Sequence, residues 1–121
     1  MHVGNAPGRQ AEDAACKLLR SLGYAIVARN WSFRGGELDI VARDGDTLVF
    51  VEVKARSGSG FGGPEAAVSR AKQRRLAAAA SAFMARTDAD LPARFDVVAL
   101  EGDPVRIHRA AFSLDDVWPT D

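Results

Sequence analysis

Residues 36–56 read GELDIVARDGDTLVFVEVKAR, two strand-like runs around a turn, with Asp39, Glu52 and Lys54 set among valines, leucine and isoleucine. The pattern predicts a hairpin with strands at about 37–44 and 47–56. If Gly45 and Asp46 form a two-residue turn, Asp39 faces Glu52 and Glu37 faces Lys54. If Asp44 and Gly45 form it, Asp39 faces Phe50, with Glu52 diagonal on the same face. In both registers side-chain alternation puts Asp39, Glu52 and Lys54 on one face; a three-residue turn would send Asp39 to the other.

Two carboxylates at ~4 Å repel by about 4 kcal/mol at an effective dielectric near 20, so such a pair needs compensation. Lys54 supplies some of it, and a divalent cation with oxygen ligands would supply more. The plainer explanation is an edge hairpin whose charges meet solvent or Arg34, Arg43 and Arg56. Against it, the run TLVFVEVK is apolar on both faces apart from Glu52 and Lys54, which is the pattern of a central strand. That favours a site.

Working outward, residues 8–22 form a first helix with Ala11, Ala15, Leu18 and Leu22 as its buried stripe, Glu12 at the stripe's edge, Cys16 on its flank and Gly23 as terminator. A strand follows at 24–33. After the hairpin comes SGSGFGGP (57–64), a flexible loop. Pro64 opens a second helix that runs to about Arg86, with Val68, Leu76, Ala79 and Phe83 as its stripe. Lys72 falls inside that stripe, so it either snorkels outward or meets a carboxylate or phosphate. Strands at 94–102 and 105–112 and a short terminal helix at SLDDVW, capped by Ser113, complete the chain. The order α, three strands, α, two strands predicts an α/β fold, a mixed sheet carrying helices.

The 121 residues fit one domain, since a domain takes roughly 100–200; residues 1–7 are expected to be a mobile tail. Formal charge is zero, so any nucleic-acid surface must be local. The run RAKQRR (70–75) is the candidate, with four positive charges and no negative one. A single cysteine, Cys16, excludes an internal disulfide and suits a reducing compartment. No apolar leader opens the sequence, and RLAAAASAFMAR is shorter than the roughly 20 apolar residues that cross a bilayer. A soluble, cytoplasmic protein with no membrane partner is expected. SGSGFGGP lacks the lysine and serine of a phosphate-binding loop, and His2, His108 and Cys16 lack zinc-ligand spacing.

Taken together, GRQAEDAACKLLRSLGY, the asparagine preceding GELDIVARD by six positions, VFVEVKAR, FGGPEAAVSRAKQRRLAAAA and RFDVVAL resemble the YraN family, bacterial proteins of uncharacterised function assigned a restriction-endonuclease-like fold. The resemblance runs from about Gly8 to Leu100. It implies a five-stranded mixed sheet flanked by helices, similar to Holliday-junction resolvases and to Mg²⁺-dependent nucleases with an Asp and Glu-x-Lys signature. Carried onto this chain, the signature makes Asp39 and Glu52 metal ligands, with the Val53 carbonyl as a further ligand, for Mg²⁺ or Mn²⁺. Lys54 becomes the catalytic lysine, and Glu12 matches the helix-one glutamate of the resolvases. Lys72, Gln73, Arg70, Arg74, Arg75 and Arg56 are the expected nucleic-acid contacts. Where some of these nucleases carry Gln-x-x-x-Tyr, Gln73 is followed here by Ala77.

The expected function is a Mg²⁺-dependent nuclease acting on structured or branched DNA, and a homodimer by analogy with the resolvases. The alternatives are a nucleic-acid-binding protein that keeps the fold without cleaving, and a protein-interaction module whose polar cluster is structural.

Overall fold

Gly45 has φ 63°, the positive value that a two-residue hairpin requires at its first central position. With Asp46 it closes the hairpin in the first of the two expected registers, Asp44 pairing with Thr47 and Ile40 with Val51. The computed structural model describes residues 6–54, 68–100 and 106–112. Within them, helix α1 spans Ala6–Ser21 and α2 spans Arg70–Thr87; the strands are β1 (Ala25–Phe33), β2 (Gly36–Asp44), β3 (Thr47–Lys54), β4 (Ala93–Ala99) and β5 (Arg106–Phe112). The sheet order is β1-β2-β3-β4-β5. All neighbours are antiparallel except β3 and β4. A parallel pair needs a crossover, and α2 lies in the connection. This is the α/β architecture the resemblance implied, with β3 in its centre.

The helices cover opposite faces. Along β3, Leu48 and Phe50 pack with Leu76, Ala80 and Phe83 of α2, while Val49 and Val51 pack with Ala15, Cys16 and Leu19 of α1. Both faces of β3 are therefore apolar because each meets a helix. Among the described residues no helix is long and apolar enough to cross a membrane.

Departures from the expected pattern fall in three places, namely the buried face of α1, the starts of the two helices, and the alternation of β1 and β2. The buried residues of α1 are Ala15, Cys16 and Leu19, while Leu22 is 42% exposed. The helix ends at Ser21, so the wheel no longer applies at Leu22, and the turn at Gly23 brings Tyr24 into the core instead. Helix α2 starts at Arg70 rather than Pro64, because the Ser69 side chain accepts the Lys72 N–H at 3.1 Å and caps it. Val68 is buried just ahead of the helix. Helix α1 starts at Ala6, two residues earlier than expected. Arg56, the 57–64 loop and the SLDDVW segment lie outside the described residues.

The third departure bears on the site. Leu38 and Val41, three residues apart, both join the α2 cluster, whereas Ile40 joins the α1 cluster. On the paired strand, Ala28 and Trp31, also three apart, pack on the α2 cluster, and Asn30 between them has φ 53°. Strict alternation is thus broken in both strands at one level, and Asp39 stands at the break.

Candidate metal centre

The last ladder pair of β2 and β3 is Ile40 with Val51, while β3 continues alongside β4 as Glu52, Val53 and Lys54 pair with Val97, Val98 and Ala99. One step beyond that pair the Asp39 carboxylate accepts the Val53 N–H at 2.9 Å. A side chain thus takes the place of a backbone carbonyl, and the hairpin end is held together by an acid.

Glu52 is 6% exposed. Its Oε2 meets two cations, Lys72 Nζ at 3.4 Å and Lys54 Nζ at 3.8 Å, while its Oε1 is buried and has no hydrogen-bond partner. A buried carboxylate oxygen left unpaired is costly and calls for an explanation such as an ion. Burial, and then the Glu52 charge, push Asp39 up to about 7, against the pull of the Val53 N–H. A cation between the two would remove their repulsion and give Oε1 a partner. Mg²⁺ characteristically uses one or two carboxylates, completing its shell with water and phosphate, so this donor set fits it.

Glu12 reaches the neighbourhood from α1, close enough for its charge to raise Asp39 further. Its own partner is Arg29 of β1 at 3.5 Å, which also holds Asp13 at 2.8 Å. Among the described residues no three side chains of His, Cys, Asp and Glu converge as metal ligands. The acidic centre is therefore the pair Asp39 and Glu52, with Glu12 tied to Arg29 beside it.

The first turns of α2 bring Lys72 to Glu52. Arg70, Arg74 and Arg75 are exposed there, and Gln73 donates its side-chain amide to the Val68 carbonyl at 3.1 Å. Gly36, the first residue of GELDIVA, explains how the helix comes so close to the hairpin: a Cβ there would lie 2.9 Å from the Arg75 carbonyl oxygen.

A second polar cluster lies on the α1 face and was not anticipated. Asp96, fully buried in β4, accepts from Arg94 Nε at 3.0 Å, the Ala110 N–H at 2.9 Å and Tyr24 Oη at 3.2 Å. Arg94 also donates to Asp44 at 3.0 Å and Tyr24 Oη at 2.6 Å. Burial opposes the charge of Arg94, but its bonds to Asp96 and Asp44 outweigh burial and raise its pKa. Every oxygen of Asp96 is satisfied, so this cluster ties β2, β4, β5 and Tyr24 together. The signal was present in RFDVVAL, a charge in the middle of a buried strand.

Residues 11–100 match the model of a family described as uncharacterised protein family UPF0102. The chain belongs to this family. It is the one the motifs resemble under the name YraN. A UPF0102 protein of Ralstonia pickettii is 50% identical over 115 residues, covering 91% of this chain and 92% of its own. Another, of Symbiobacterium thermophilum, is 52% identical over 98 residues, 80% of this chain and 83% of its own. A third, of Geobacter sulfurreducens, is 50% identical over 100 residues, 82% and 78% of the two chains. The UPF0102 match spans Glu12, Asp39, Glu52, Lys54, Lys72 and Asp96, so the side chains of both polar clusters lie within it, while Ala110, whose N–H Asp96 accepts, lies beyond it.

Proposed function

We propose that this UPF0102 protein is a Mg²⁺-dependent nuclease, also served by Mn²⁺, that cleaves phosphodiester bonds in structured or branched DNA. The observation that carries the reading is the buried Glu52, with an unpartnered Oε1, beside an Asp39 that burial and Glu52 hold near pKa 7 and between two lysines. Asp39 and Glu52 would hold the ion, with the Val53 carbonyl beside them. Bound there, Mg²⁺ would supply Lewis acidity to a phosphoryl oxygen and ease deprotonation of a water. Lys54 orients the attacking water or stabilises negative charge as it develops on the phosphorus oxygens. Glu12, restrained by Arg29, adds negative potential at the edge of the site. Arg70, Arg74 and Arg75, with Gln73, would meet the phosphate backbone, and Lys72 joins them at the site; Arg56, expected among these contacts from the sequence, lies outside the described residues.

The test is incubation of the purified protein with duplex, single-stranded and four-way-junction DNA in Mg²⁺ or Mn²⁺. Cleavage that disappears in Glu52→Gln and in Lys54→Ala supports the reading. Cleavage that survives either change removes that residue from the mechanism. The lysine pair already on Glu52 suits a second reading, a nucleic-acid-binding protein that does not cleave. Binding that weakens steeply with salt, without any metal-dependent product, would select it.

A further inference from the structure

We propose that Lys72 is the internal counter-ion of the metal-free site, holding the Glu52 carboxylate until a divalent cation and a phosphate arrive together, and then passing its ammonium to the phosphate. The inference rests on reading Asp39 and Glu52 as the metal ligands. Its basis is that the chain already sets a cation or a donor against each acid of the site, although Glu52 Oε1 is left without a partner. Glu52 Oε2 has Lys72 at 3.4 Å and Lys54 at 3.8 Å, Glu12 has Arg29 at 3.5 Å, and Asp39 has the Val53 N–H at 2.9 Å. A divalent cation entering this set alone meets two ammonium groups with no anion to spare for them. A phosphate diester entering with it restores the balance.

Of the two lysines, Lys72 is placed to move. Lys54 sits on the central strand two residues from Glu52, with a side chain 25% exposed. Lys72 stands in the first turn of α2, its side chain 37% exposed, and between the exposed Arg70 and Arg74. The Ser69 cap fixes its backbone, while its four-carbon stem leaves the ammonium free to turn between Glu52 and an incoming phosphate. Metal and phosphate would then bind with positive coupling, and the coupling is necessarily reciprocal. A protein so built holds metal weakly until substrate is present.

The experiment is a Mn²⁺ titration of the full chain, with free Mn²⁺ read by electron paramagnetic resonance, with and without dimethyl phosphate as phosphodiester probe. Wild type is compared with Lys72→Met, Arg74→Met and Glu52→Gln. Lys72 Nζ stands 3.4 Å from the Glu52 carboxylate that would hold the ion, and a unit charge adjacent to a divalent ion is worth on the order of tenfold in affinity even at the dielectric of water, so Lys72→Met should bind Mn²⁺ about tenfold more tightly. Arg74→Met, on the same helix but making no contact with Glu52, should change it far less. Dimethyl phosphate should tighten Mn²⁺ binding in wild type and not in Lys72→Met. Unchanged or weaker binding in Lys72→Met, with Glu52→Gln still abolishing it, overturns the counter-ion role and leaves the metal site standing. Tightening of equal size in Arg74→Met overturns it as well. If Glu52→Gln binds Mn²⁺ as wild type does, or if no protein binds it, the metal-site reading and the inference fall together.

Discussion

The Val53 N–H donates to Asp39 Oδ2 at 2.9 Å, one step past the last ladder pair of β2 and β3. This bond fastens the open end of the hairpin and holds an acid beside the buried Glu52, so the same residue serves the fold and the site. Asparagine can accept the same N–H without bringing the charge. Asp39→Asn should therefore keep the fold, stabilise the metal-free protein above pH 7 by about 2–4 kcal/mol at ~1.4 kcal/mol per pKa unit, and abolish Mn²⁺ binding. Urea denaturation with and without Mn²⁺ checks all three.

The pH dependence follows from the same group. Asp39 titrates near 7 in the folded protein against 3.8 ordinarily, so the folded state binds its proton more tightly than the unfolded state does. Its contribution to stability is complete below about pH 4 and is lost as pH rises through 7. In EDTA the urea midpoint should fall between pH 5 and pH 8, and Asp39→Asn should flatten that part of the profile. A wild-type midpoint that rises over this range contradicts the assignment.

Metal binding should show the mirror image, because a ligand must lose its proton to bind. Mn²⁺ affinity should increase from pH 6 to pH 8, with release of about one proton per ion at pH 6. Calorimetry in buffers of different ionisation enthalpy counts that proton.

The Asp96 cluster carries a separate expectation. Asp96→Ala leaves Arg94 with Asp44 and Tyr24 Oη as its partners and removes the acceptor of the Tyr24 hydroxyl proton and of the Ala110 N–H. Leaving a buried donor without its acceptor costs about 1–3 kcal/mol, which urea denaturation measures. If enough of the protein stays folded, its Mn²⁺ affinity should match wild type, since Asp96 lies on the α1 face of the sheet and Glu52 on the α2 face.

Gly36→Ala tests the close approach of helix and hairpin. The added Cβ would sit 2.9 Å from the Arg75 carbonyl oxygen, so α2 must shift, at a cost of about 1–3 kcal/mol. Because α2 also carries Lys72, Mn²⁺ affinity should change along with stability.

The hairpin was legible from period two, but its register stayed open between a turn at Gly45 and Asp46 and one at Asp44 and Gly45, and the pairing of Asp44 with Thr47 selects the first. Lys72 was legible as a charge on an apolar stripe, and its partner proved to be Glu52. What single-strand periodicity could not show was a break shared by two strands. Asn30 at φ 53° and the shift between Leu38 and Val41 fall at one level of the β1–β2 pair, which no single strand displays. The exposure of Leu22 was hidden because the end of the helix at Ser21, not the wheel, decides where it points. Asp96 was passed over although RFDVVAL displays it, because its partners Tyr24 and Ala110, and the Asp44 that shares Arg94 with it, come from distant parts of the chain. Buried charges reveal their role only when such partners are brought together.

The most direct test of the central claim is an anomalous difference map from a crystal soaked in Mn²⁺ together with dimethyl phosphate. The account predicts a peak between the Asp39 and Glu52 carboxylates, with Lys72 turned away from Glu52. No peak there at saturating Mn²⁺, or a peak bound by other residues, would contradict it.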